Sequence, residues 1–278
     1  MQMQNSTVAI IGGRGKTGGR VAERLEKRGI KVRAASRSTT PSFDWQDRST
    51  WHQALEGASA AYVTFQPDLA VAWAADAIAA FAKTAIEAGV KHIVLLSGRG
   101  EDGAIRSEER LKAAGIDYTV LRASWFNQNF SEGAFVDGLL QGKLALPADN
   151  VAEPFVDADD LADAAVECLV DPRHRNQMYE MTGPRALTFR QAVAETALAS
   201  GRYIGYETVP IDAFIAEMTA YGLPQEVTDL LRELFTQVLD GRNSPVMDGV
   251  SQILGRPAKD FSTYAHETAA TGIWSAQS

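Results

Sequence analysis

Gly12, Gly15 and Gly18 recur at every third position in "VAIIGGRGKTGGRVAERLEKRG", directly after the apolar run Thr7–Ile11. Glycines at such a point bring a backbone close to phosphate, and two chemistries compete for them. A nucleotide-hydrolysing loop needs Gly-x-x-x-x-Gly-Lys-Thr, so that the chain wraps the terminal phosphates. Counting back from Gly15-Lys16-Thr17, the required first glycine falls on Ile10, inside the apolar run. That spacing excludes the loop. A dinucleotide turn fits: Gly12 for the tight turn, Gly15 for close approach to a pyrophosphate, Gly18 for helix–sheet packing. The backbone N–H groups at the helix start then face the anion. Gly13, Arg14, Lys16 and Thr17 complete the expected cofactor turn, with Lys16 at its rim.

The second strand selects the dinucleotide. An NAD site carries Asp or Glu there, roughly 20 residues past the glycines, to hold the ribose 2′-hydroxyl. Here the place reads Ser36-Arg37-Ser38, with no carboxylate. Arg37, with Arg14 from the glycine turn, suits a 2′-phosphate, so NADP(H) is expected. Asp44 and Trp45 of "FDW" are expected near the adenine, or else as a turn Asp and a partly buried Trp. Thr64, Phe65, Gln66 and Ser97 end the third and fourth strands and are expected beneath the ribose and nicotinamide.

Proton-transfer residues are sparse. Short-chain dehydrogenases pair Tyr and Lys as Tyr-x-x-x-Lys to serve a carbonyl oxygen, yet "GAIRSEERLKAAG" contains no tyrosine. The four histidines, His52, His92, His174 and His266, lie far apart without ligand or triad spacing. Asp157, Asp159 and Asp160 precede an apolar helix, where capping and dipole complementarity explain them better than a metal. No metal is expected. Substrate contacts are expected from Ser97, Arg99, Trp125, Phe126, Asn127 and Phe130, with a helical lid near Tyr221. Core packing is the alternative for the three aromatics, and pairing with the protein's own carboxylates is the alternative for Arg99.

The elements that must position these residues alternate. Strands are expected at Thr7–Ile11, Ile30–Ser36, Ala60–Phe65, His92–Ser97 and Ile116–Arg122, separated by amphipathic helices that stop at Gly29 and Gly89. The fold class is α/β: a Rossmann-type, doubly wound, mostly parallel sheet with a smaller, mainly helical C-terminal substrate-binding part. Residues 1–150 are expected to form the NADP(H)-binding domain. Residues 151–182 return to the sheet, "EPFVDADDLADAAVECLV" reading as a strand then an acid-capped helix. Residues 183–278 pack as the helical part, walling a pocket over the strand ends. The 278 residues carry a net charge of −8, which argues against a nucleic-acid groove. One cysteine, Cys168, cannot close an internal disulfide, which fits a cytoplasmic location. No run approaches the roughly 20 apolar residues of a membrane span.

"GGRGKT", "ASRS", "FDW" with "TW", "LLS", "SWFNQNFSE", "TGPRALTF" and "GRPAKDF" together resemble the NmrA-like, atypical short-chain dehydrogenase/reductase group. Within it the chain is most similar to the ergot-alkaloid reductases, the agroclavine and festuclavine dehydrogenases, and their bacterial relatives. Fungal members carry serines where this chain has Gly18 and Gly19. The resemblance implies an NADPH-dependent reductase acting on an imine or iminium, whose carbon accepts hydride without a proton donor. Quinones and enones are the other electrophiles expected. The group also contains non-catalytic NADP(H)-sensing regulators that bind a protein partner, and that is the alternative reading. The expected ligand is a small, aromatic or cyclic electrophile, with no nucleic acid and no membrane; the oligomeric state stays open.

Overall fold

A computed structural model describes residues 6–275. The apolar strings seen in the sequence become strands buried on both faces, as a helix-covered parallel sheet requires. They are β1 (Thr7–Ile11), β2 (Lys31–Ala35), β3 (Ala58–Val63), β4 (His92–Gly98) and β5 (Asp117–Ala123). The short β6 (Lys143–Leu146) and β7 (Ala152–Glu153) follow, then β8 (Gln177–Met181). The main sheet has the order β2-β1-β3-β4-β5-β8, with every pairing parallel. The chain turns one way from β1 to β2 and the other way to β3. The carboxyl ends of β1 and β3 therefore form a topological switch point, where open α/β sheets take ligands.

Helices α1 (Lys16–Lys27), α2 (Trp51–Leu55), α3 (Ala74–Glu87) and α4 (Asp102–Ala113) join these strands. Trp51 of α2, Ile78 and Phe81 of α3 and Leu111 of α4 pack in one apolar cluster with Ile11, Val63 and Leu95 of the sheet. After the short α5 (Val136–Leu140), α6 (Ala158–Val170) packs on α1 and on β3, β4 and β5, covering the other face. Cys168 of α6 is buried, and burial pushes its thiol up, as an inert core position demands.

By compactness the chain divides into two units. The described residues of Met1–Ala123, Ala158–Met181 and Gly249–Arg256 form the sheet unit; those of Ser124–Asp157, Thr182–Asp248 and Pro257–Ser278 form the other. Residues 124–150, grouped with the first part in the sequence reading, thus pack within the second unit. The strand expected before α6 is also different. β7 pairs antiparallel with β9 (Leu187–Thr188), outside the main sheet, so only α6 and β8 of residues 151–182 return to the sheet unit. The second unit is helical around a phenylalanine core of Phe130, Phe135, Phe155, Phe189, Phe235 and Phe261. Its α7 (Phe189–Ser200) opens with a capping box: Thr188 accepts from the Gln191 N–H while Gln191 accepts from the Thr188 N–H. β10 (Gly205–Thr208) pairs with β6. No helix among the described residues is long and apolar enough to cross a membrane.

Candidate functional site

The glycine turn joins β1 to α1 at the switch point. The Gly12 and Gly13 N–H groups donate to the Ala35 carbonyl at 3.0 and 3.2 Å, and the Gly15 N–H donates to the Gly12 carbonyl at 2.8 Å. These bonds fold the turn onto the end of β2. Gly12 has φ +82°, and a Cβ there would stand 2.0 Å from Thr64 Oγ1. A Cβ on Gly18 would stand 2.3 Å from the Gly12 carbonyl oxygen. Both positions admit only glycine without movement of backbone or neighbours. No side chain caps the start of α1, and its first turn holds no acidic residue. An anion at this helix end meets backbone donors and a favourable dipole. The turn therefore fits a pyrophosphate, with Gly13, Lys16 and Thr17 beside it.

At the end of β2 the charges are unusually available. Arg14 and Arg37 are exposed, and among the described residues neither forms an ion pair. Arg14 Nη1 donates to Ser38 Oγ at 3.2 Å, and the Ser36 and Ser38 hydroxyls lie 3.3 Å apart. One guanidinium and two hydroxyls thus gather beside the exposed Arg37, where a carboxylate would disfavour a 2′-phosphate. The group of residues fits that anion.

The next expected contacts are drawn into the fold. Trp45 is buried against Phe43, Trp51, Phe65 and Phe81, and its Nε1 donates to the Thr64 carbonyl at 3.1 Å. Asp44 makes a local turn, accepting from the Gln46 N–H at 3.0 Å, and its carbonyl accepts from Trp51 Nε1. Phe65 is buried beside Trp73, whereas Gln66 is exposed.

Ser97 and Arg99 enter a network that spelling alone does not show. Register sets Ser97, Arg122 and Glu180 side by side on β4, β5 and β8. Glu108 of α4, with 0% of its surface exposed, accepts from Ser97 Oγ at 2.7 Å. It also accepts from Arg122 Nε at 2.8 and 3.0 Å and from Arg122 Nη2 at 2.6 Å. Arg99, itself buried, donates from Nε to Glu180 at 3.3 Å. The Glu108 carboxylate raises the pKa of Arg122 further. Arg99 therefore meets the protein's own carboxylate, and Ser97 commits its proton to Glu108. A signal for Glu108 existed: it lies between Ala104 and Leu111 at helical spacing, a carboxylate on the apolar stripe. Glu180 had none, because its role depends on which strand lies beside β5.

The acids at the start of α6 pair with arginines. Asp159 accepts from Arg20 and Arg24, Asp163 from Arg24 and Arg256, and Asp160 pairs with Arg256 at 2.7 Å. His92 is buried with Nε2 2.9 Å from Thr119 Oγ1, and desolvation holds its pKa down at about 4. Neither His92 nor His174, which meets the Tyr179 hydroxyl at 2.8 Å, sits with a second catalytic group.

In the second unit, Trp125 is half-buried against Phe135, Phe189 and Phe235. Phe126 is half-buried too, its backbone bridged to Val156. Phe130 is wholly core, ringed by Phe135, Phe155, Phe189 and Phe261. Asn127 is buried, with Nδ2 donating to Asp157. Tyr221 is 72% exposed, and its hydroxyl donates to Glu217, one helical turn away.

The profile of the NmrA-like family matches residues 4–255. An NAD(P)H azoreductase from Xenophilus azovorans is 28% identical, covering 95% of this chain and 98% of its own. Agroclavine dehydrogenase from Claviceps fusiformis is 26% identical, covering 96% and 98%. Among solved structures, an NADPH-dependent quinone oxidoreductase from Escherichia coli, complexed with NADPH, aligns with a TM-score of 0.75. It shares 24% identity over 94% of this chain and 99% of its own, a likeness of fold.

Proposed function

The chain belongs to the NmrA-like family, and we propose that it is an NADPH-dependent oxidoreductase reducing an electrophilic small molecule: an imine or iminium, a quinone or an enone. The observation that carries this reading is the pair Arg14 and Arg37. Both are exposed, Arg14 donates to Ser38, Arg37 lies between Ser36 and Ser38 in the chain, and neither is neutralised by a carboxylate among the described residues. Two solvent-facing cations at the end of the second strand suit a 2′-phosphate, and among the described residues neither meets a carboxylate. The oxidoreductase names of the azoreductase and dehydrogenase relatives support the same activity.

Bound NADPH supplies a hydride. The Gly12–Gly18 turn and the start of α1 hold its pyrophosphate through backbone N–H groups. Arg14, Arg37, Ser36 and Ser38 hold the 2′-phosphate, and Thr64 lies against the turn at Gly12. Trp125 and Phe126, half-buried in the second unit, keep flat apolar surface of the kind a cyclic acceptor needs. Helix α4 contains no tyrosine, and Ser97 already donates to Glu108. The chain therefore favours acceptors whose reacting carbon takes hydride without simultaneous protonation, an iminium before a ketone.

The test mixes the protein and NADPH with cyclic imines, quinones and dyes and follows cofactor oxidation. Turnover on an iminium or quinone is expected. Tight NADPH binding with no turnover on any acceptor would replace this reading with the regulator reading.

A further inference from the structure

Three indole N–H groups of the chain are answered by backbone carbonyls. Trp45 Nε1 donates to Thr64 at 3.1 Å, Trp51 Nε1 to Asp44 at 2.7 Å, and Trp274 Nε1 to Phe130 at 2.8 Å. All three rings are buried. An indole nitrogen only donates, so burial obliges it to find an acceptor. Trp125 differs. It is half-buried, and among the described residues its Nε1–H has no acceptor. The nitrogen is not itself buried, so it lies on the open part of the ring.

The chain holds that ring still. The Trp125 carbonyl accepts from the Val156 N–H at 2.8 Å, and the Asn127 N–H donates to the Val156 carbonyl at 2.9 Å. Phe135 lies nearly parallel to the indole, at 18° and 6.5 Å. Phe189 stands perpendicular to it at 5.2 Å, and Phe235 tilts against it at 5.3 Å. Phe235 comes from a π-helical turn, Leu234–Val238, closed by the Leu239 N–H donating to the Leu234 carbonyl at 3.0 Å. Such turns are rare and frequently mark functional sites. Three phenylalanines supply apolar packing and no acceptor, so the indole cannot satisfy its N–H by turning toward them. All of these residues belong to the second unit.

We propose that Trp125 reads a ligand's chemistry as well as its shape: its Nε1–H donates to a carbonyl oxygen at the edge of a cyclic, electrophilic molecule. This rests on the oxidoreductase reading for its choice of ligand, and it divides the acceptors named there. A quinone or an enone carries the conjugated carbonyl oxygen. A simple cyclic iminium carries none. Trp125 is then a specificity residue for carbonyl-bearing rings.

The experiment uses the full chain, wild type and Trp125→Phe, which keeps an aromatic ring and removes the donor. Each protein is titrated with 2-methyl-1,4-naphthoquinone and with 2-methylnaphthalene, the same ring system without oxygen. NADP⁺ is present throughout, so no hydride is transferred. Trp125→Phe is expected to weaken the quinone by about five- to tenfold, the scale of one neutral hydrogen bond, and the hydrocarbon by less than about twofold. In ¹⁵N-labelled wild type, the indole N–H signal missing from Trp125→Phe should move downfield with the quinone and stay in place with the hydrocarbon. Equal weakening of the two ligands would leave Trp125 as apolar surface only and overturn the proposal. A quinone that does not bind the wild type, or that leaves the Trp125 signal unmoved, overturns it too. If Trp125→Phe does not fold, the wild-type spectrum decides alone: the quinone must move an indole signal that the hydrocarbon leaves in place, or the proposal falls. Failure to bind NADPH, or to turn over any acceptor with it, removes the oxidoreductase reading, and the contrast between the two naphthalene rings still decides Trp125.

Discussion

Two groups of arginines in the sheet unit behave in opposite ways. At the end of β2, Arg14 and Arg37 face solvent with no ion pair among the described residues. At the ends of β4, β5 and β8, Arg99 and Arg122 are drawn into carboxylates, with Glu108 wholly buried between Ser97 and Arg122. Sequence reading offered a ligand for Arg14, Arg37 and Arg99, with the chain's own carboxylates as the alternative for Arg99. The fold separates them: one meets no carboxylate among the described residues, and the other neutralises its charge within. A charged residue becomes a ligand candidate when the folded chain fails to answer it.

This contrast can be broken at either end, and the largest effect belongs to the buried network. Glu108→Ala leaves Arg122 without its bidentate partner and Ser97 without its acceptor. Removing one member of such a buried pair costs about 3 kcal/mol or more, which urea unfolding will register. A loss under about 1 kcal/mol would mean that Glu108 was never the centre of the network.

Acid reads the same strand from its other end. His92 opens β4, and its folded-state pKa of about 4 lies below the ordinary value of 6.5. Its neutral form is the one the fold accepts. The unfolded chain gains protons first as pH falls, so this contribution is complete above pH 6.5 and is lost progressively down to pH 4. A drop of about 2–3 kcal/mol is expected across that window. His92→Gln should flatten it, and an unchanged slope in that variant would remove His92 as the cause.

At the exposed pair, effects on stability should vanish and effects on cofactor should appear. Arg37→Ala is expected to weaken NADPH by about 1.5–3 kcal/mol, the range of a charge-assisted hydrogen bond. NADH should be barely affected, and equal weakening of both would break the assignment. Arg14→Ala should give the smaller change, about 1 kcal/mol, because its guanidinium already donates to Ser38. Neither substitution should shift unfolding by more than about 0.5 kcal/mol, as expected of surface positions.

What could be read beforehand follows the range of the constraint. The glycine turn was legible because positive φ at Gly12 and close packing at Gly18 are demands that neighbouring residues impose. The alternation of strands and helices was legible for the same reason. Trp45 left two readings open, adenine contact or core, and the core reading is the one seen because α2 and α3 bring Trp51 and Phe81 to bury it. For Arg99 the carboxylate alternative is the one seen, but its partner was not legible, because Glu180 lies on β8, distant in sequence and two strands away in the sheet. Residues 124–157 join the second unit through Phe130, Phe135 and Phe155, and their partners Phe189, Phe235 and Phe261 lie beyond residue 180. Contacts of that separation leave no local pattern.

The central claim, that the unanswered arginines at the end of β2 select NADPH, is tested most directly by wild-type affinities for NADPH and NADH at one fixed salt concentration. Binding of NADPH about tenfold tighter or more is expected, one charge-assisted contact or better. Equal affinity for the two cofactors would contradict the account.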